Sequence, residues 1–151
     1  MKSKGMWSLL GATMLTAGLS SAAMAELGPI EARQACMKVS GKMMGVMVPI
    51  IKGEKPYDKA AVDGAIAETE AACAGWAGWW GEDTKPGGAV KTWAKAEVWS
   101  DKAGFEAASA AFVQAKAAVK ASTDEASFKA AFPGLGKSCQ DCHEKFRAPK
   151  E

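Results

Sequence analysis

The stretch "DKAAVDGAIAETEAACAGWAGWW", residues 58–80, decides the fold. Val62, Ile66, Thr69, Cys73, Trp76 and Trp80 recur at steps of four, three, four, three and four. That spacing lays them along one side of a helix with 3.6 residues per turn. A strand would need alternation with period two, and the stretch has none. Asp58 stands where a helix wants its N-cap. A helix from about Asp58 to Trp80 is the expectation.

Working outward, three further stripes have the same period. Arg33, Met37, Ser40, Met44, Met47 and Ile51 mark a helix over about Ile30 to Ile51. Phe105, Ala108, Phe112, Ala115 and Val119 mark one over about Asp101 to Ala121. Phe128, Phe132, Leu135, Cys139, Cys142 and Phe146 mark the last, over about Thr123 to Ala148. The punctuation agrees. "KGEKPYD" (52–58) is a turn, and "GEDTKPGGAVKTW" (81–93) is a Gly- and Pro-rich crossover. Ser122 followed by Glu125 reads as a capping box for the last helix. Pro49 and Pro133 predict a kink or an earlier stop in their helices. The fold class is therefore all-α, an antiparallel four-helix bundle.

The N-terminus reads "MKSKGMWSLLGATMLTAGLSSAAMAE". A positive start, an uncharged apolar run and Ala23-Met24-Ala25 form the pattern of a secretory signal peptide cleaved after Ala25. The apolar run falls short of the ~20 residues a spanning helix needs, which counts against a membrane anchor. The expectation is an exported protein, periplasmic in a bacterium and free of the membrane after cleavage. Residues 26–151 then form one domain. The full chain has 19 Lys+Arg against 17 Asp+Glu, and the signal carries Lys2 and Lys4 and no acid. The remaining 126 residues are balanced at 17 against 17. A neutral domain argues against nucleic acid or an acidic membrane surface as partner, since both need a basic face.

The last helix holds "GKSCQDCHEKFR", residues 136–147, with two of the four cysteines and the only histidine. Cys-x-x-Cys-His is the attachment signature of c-type haem. On a helix, Cys139, Cys142 and His143 share a face. Two sulfurs can there form thioethers to one porphyrin while the imidazole ligates its iron. Three rival readings need other company. Zinc needs about four ligands, a thioredoxin-like pair needs a strand-to-helix turn, and a bridge between cysteines three apart in a helix has poor geometry.

The motif lies in the last helix, eight residues from the end. Together with "RQACMKV" (33–39), "KGEKPYD" (52–58) and "AEVWSDKAGF" (96–105), it makes the chain resemble the class II c-type cytochromes, the cytochrome c′ family. The resemblance covers essentially all of residues 26–151. It implies one covalent haem c with its iron, near one end of the bundle. Cys139 and Cys142 would carry the haem and His143 would be the proximal ligand. Arg33 and Gln34 would lie on the propionate side, and Met37 on the distal side. Many members pair as homodimers through the first two helices. Arg147 and Lys137 are either solvated or assist the propionates.

The family divides at Met37. A distal side chain that only crowds the iron leaves it five-coordinate and open to NO or CO. A methionine that binds gives a low-spin, six-coordinate electron carrier. The sequence permits both, and the Arg33 neighbourhood favours the five-coordinate form. The resemblance implies single-electron transfer and/or NO or CO binding, with the redox partner unspecified. A peroxidase-like enzyme is disfavoured, because it wants a polar distal acid–base group and the lone histidine is committed to the iron. The chain is thus not expected to be an enzyme.

Three features stand apart. "WAGWW" (76–80) either packs on the bundle end or walls the haem. Ala96 stands where the family often has proline, so the start of the third helix is less fixed. Cys36 and Cys73 each lie about 15 residues from the 52–57 turn, which places them at one height. They form a disulfide if they face each other in an oxidising compartment, and are otherwise two buried thiols.

Overall fold

The computed structural model describes residues 27–149. The proposed signal peptide, residues 1–25, lies outside them. Four long helices and one short turn of helix follow in order: α1 (Pro29–Ile51), α2 (Lys59–Ala72), α3 (Glu97–Ser100), α4 (Lys102–Lys120) and α5 (Glu125–Phe146). The bundle is built as two antiparallel pairs, α1 with α2 and α4 with α5. None of the described helices is long and apolar enough to cross a membrane.

Local chemistry sets the ends. Asp58 accepts a hydrogen bond from the Ala61 N–H at 3.1 Å, as an N-cap should. Asp101 does the same for Gly104 at 3.0 Å, and so separates the short α3 from α4. α1 ends where Gly53 takes φ +73°, a left-handed conformation that glycine adopts without steric cost. Its N–H and that of Glu54 then reach back to the carbonyls of Ile50 and Pro49.

Several boundaries differ from expectation. α2 stops at Ala72, and Trp76–Gly78 forms a separate 3-10 turn. Gly75 and Gly78 weaken helix here, each by about 1 kcal/mol against alanine. The capping box of α5 is Asp124 with Ser127, not Ser122 with Glu125. Ser122 is buried and its hydroxyl turns back to the Ala118 carbonyl, so it belongs to the end of α4. Pro49 and Pro133 both sit inside continuous helix, and neither brings an early stop.

Both tight connections lie at one end of the bundle. The Tyr57 hydroxyl donates to the Ser122 carbonyl at 3.0 Å and ties the 52–58 turn to the turn that follows α4. Next to them is the main core of Met43, Met47, Ile50, Val62, Ile66, Val119, Phe128 and Leu135. At the other end Val98, Phe105 and Phe146 form a smaller cluster with Trp76, Trp80 and Trp99. The start of α1, the crossover and the end of α5 meet there.

Candidate cofactor site

Cys139, Cys142 and His143 occupy positions i, i+3 and i+4 of α5 and therefore share one face. Both thiols are free, and all three side chains are half-buried. They line one cavity of about 960 Å³. That is the upper end of the roughly 300–1,000 Å³ that small-molecule and cofactor sites occupy. The cavity lies between the upper half of α1, the first part of α4 and the end of α5. Its lining is largely apolar and aromatic, with Met37, Met44, Trp76, Trp80, Phe105 and Phe146 among the walls.

The crossover closes one side, held by backbone bonds to the end of α5. The Lys95 N–H donates to the Phe146 carbonyl at 2.9 Å, and the Ala148 N–H to the Trp93 carbonyl at 2.7 Å. Ala94 and Arg147 make an isolated antiparallel bridge. From α1, Gln34 Nε2 donates to the Lys91 carbonyl at 2.7 Å. Arg33 donates to Thr84, to its carbonyl at 3.0 Å and its hydroxyl at 3.4 Å. The guanidinium lies 4.3 Å above the Trp80 ring, a contact worth on the order of 1–2 kcal/mol when desolvated.

Two observations bear on what the cavity suits. Burial pushes the Cys139 thiol up from its ordinary range; burial and then the neighbouring Cys139 do the same to Cys142. Neutral thiols are poor metal ligands and poor exchange nucleophiles. Nor does any cluster of three or more His, Cys, Asp or Glu gather among the described residues as a metal-ion site would need. Arg33 is 5% exposed, and burial lowers its affinity for its proton. No carboxylate pairs with it among the described residues, and the buried Trp80 Nε1 has no hydrogen-bond acceptor. The wall thus carries a buried positive charge with no carboxylate paired to it among the described residues. An apolar macrocycle with acidic side arms, anchored through two neutral thiols, fits this donor set.

All six residues singled out from sequence reach the one cavity: Arg33, Gln34, Met37, Cys139, Cys142 and His143. Met37 is 37% exposed and faces this space rather than the core. Arg147 lines the cavity; Lys137 points elsewhere and pairs with Asp141 at 2.8 Å. The tryptophans answer to both readings offered for them. Trp80 packs edge-on to Phe105, with centroids 4.5 Å apart, and also walls the cavity. Sequence reasoning missed Thr84, whose role depends on where the crossover lands. It left the Cys36–Cys73 pairing open, and the two are disulfide-bonded with Cα atoms 5.0 Å apart.

A four-helix bundle with this attachment face on its last helix is a class II c-type cytochrome. Residues 28–147 match the sequence profile of the Cytochrome C′ family. A cytochrome c-556 of Rhodopseudomonas palustris is 36% identical over 143 residues, spanning 91% of this chain and 92% of the relative. The solved cytochrome c′ of the same species superposes with a TM-score of 0.73 at 31% identity, over 83% of this chain and 100% of the other. A nitric oxide complex of a cytochrome c prime variant from Alcaligenes xylosoxidans gives a TM-score of 0.66 at 29% identity, over 82% and 98%. The chain belongs to the cytochrome c′ family, whose cofactor is covalent haem c.

Proposed function

We propose that this protein is a periplasmic haem c protein that moves single electrons and admits NO or CO to a restricted distal site. The carrying observation is that Cys139, Cys142, His143 and Met37 line one apolar cavity. Cys139 and Cys142 would hold the porphyrin through thioethers, and the His143 imidazole would take the proximal side. Bound haem supplies an iron that exchanges one electron at a time and takes small diatomic ligands. The protein's part is to exclude bulk water with Trp76, Trp80, Phe105 and Phe146, and to set Arg33 and Gln34 on the propionate side. Met37, which lines the same cavity, would crowd the face left open by His143. With the sole histidine on α5, the distal wall has no imidazole for acid–base work. We therefore read the protein as a carrier and ligand binder, not an enzyme. Export by the N-terminal signal and pairing of two copies through α1 and α2 belong to the same proposal.

A second reading has Met37 as sixth iron ligand. The thioether lines the cavity, and the cytochrome c-556 similarity favours this form. Sulfur ligation favours ferrous iron and raises the potential. Optical spectra of ferric and ferrous protein, before and after CO, decide between the two. A high-spin spectrum that responds to CO supports the open site. A low-spin ferric spectrum with a sulfur-to-iron charge-transfer band puts Met37 on the metal. Colourless protein from a host competent in haem attachment refutes both.

A further inference from the structure

The Cys36–Cys73 disulfide joins α1 to the end of α2 within the wall of the same cavity. Cys36 directly precedes Met37 and follows Arg33 by three residues. It is 1% exposed. Cys73 is the C-cap of α2, the residue at which that helix stops.

The two halves of α1 are held differently. Its lower half is buried in the main core through Met43, Met47 and Ile50. Its upper half faces the cavity, and α2 is the helix that α1 approaches most closely. The 52–58 turn joins α1 and α2 at the far end. Cys36 lies 15 residues before Ile51, about 22 Å up the helix at 1.5 Å per residue. At this height the disulfide is the one covalent tether of α1. Non-covalent contacts assist it: the hydrogen bonds of Arg33 to Thr84 and Gln34 to Lys91, both ending on the crossover, the Arg33 stacking on Trp80, and a long contact of the Ser40 hydroxyl with Cys73 Sγ.

We propose that the Cys36–Cys73 bridge is a positioning element for the distal face: it fixes the turn of α1 that carries Met37 and so sets how readily a small ligand reaches the haem. Without the bridge, the turn of α1 that carries Met37 keeps its non-covalent contacts but loses its covalent restraint against the cavity. Met37 then yields to an incoming ligand, whether it merely crowds the iron or has to leave it. The direction of the effect is the same for both coordination states. The inference rests on the haem c reading, and its test is separable from that reading.

The probe is CO binding to the ferrous holoprotein by flash photolysis. The same protein is compared with the bridge intact and with it cleaved by a phosphine and alkylated. The C36A/C73A holoprotein serves as the second arm. Cleavage is expected to speed CO association by about tenfold or more in both arms, with the proximal-imidazole signature of the spectrum retained. Association rates agreeing within about twofold between intact and cleaved forms overturn the proposal, as does failure of both forms to bind CO. A merely structural bridge lowers the melting temperature and leaves the association rate alone. Colourless protein would instead strike at the haem reading itself.

Discussion

Cutting the Cys36–Cys73 bridge should also cost stability, and the cost follows from the chain. The two cysteines are 37 residues apart in sequence. The chain-entropy relation assigns a loop of that length about 13 cal/mol/K, or about 4 kcal/mol at 25 °C. Unfolding entropies near 2.1 cal/mol/K per residue give about 260 cal/mol/K for a domain of this size. The quotient is a fall of about 15 °C in melting temperature. The assay is thermal unfolding of the ferrous holoprotein followed by far-ultraviolet circular dichroism, with the bridge intact or cleaved and alkylated. Keeping both samples ferrous prevents a change of iron state from entering the comparison. The C36A/C73A protein should melt with the cleaved form. A fall of less than about 5 °C would refute the reasoning, because it would mean that the α1–α2 hairpin already restricts its own unfolded loop through residual structure.

Other perturbations separate the two ends of the bundle. Phe128→Ala empties a fully buried site that packs on Tyr57 and Phe132, and should cost about 3–5 kcal/mol in denaturant unfolding while the visible spectrum stays unchanged. His143→Gly should retain covalent colour but lose the proximal signature; added imidazole should restore it, and a spectrum indifferent to both changes would exclude His143 as ligand. Arg33→Gln removes a buried positive charge from the cavity wall. It should lower the reduction potential, since ferric iron gains relative to ferrous; a potential unchanged or raised in voltammetry counts against the placement. Asp101 is held below the usual carboxylate range by Lys145, then by its bond to the Gly104 N–H. A depressed carboxylate stabilises the fold above its unfolded pKa, and the contribution disappears as pH falls through the depressed folded value. Asp101→Asn should therefore melt below the parent protein at neutral pH, and the gap should close in acid below the ordinary value of 3.8; a gap independent of pH would refute the linkage.

The helical period was legible because burying a side is a local requirement, repeated every three or four residues. What lay against that side was not. Ser40 and Met44 belong to the same stripe as Met47, yet they line the cavity with Met37, while Met47 and Ile50 are buried in the core. A stripe reserved for a cofactor and one reserved for packing look alike, since both exclude water. The same limit explains α2. Cys73, Trp76 and Trp80 continue the stripe in sequence after the helix has ended, held inward by the disulfide and by rings packed on Phe105. Their period records burial, not backbone. Cysteine spacing likewise gave the height of Cys36 and Cys73 on their helices but not the direction of their side chains, which rests on how α1 and α2 turn toward each other. The attachment face on α5 escaped this limit, because Cys139, Cys142 and His143 lie within one turn of one helix, where sequence spacing alone fixes geometry. What the sequence could not give was the opposite wall, where Arg33 meets Thr84 and Gln34 meets Lys91 across more than fifty residues of chain. A site built half from local spacing and half from long-range docking is readable on its local side first.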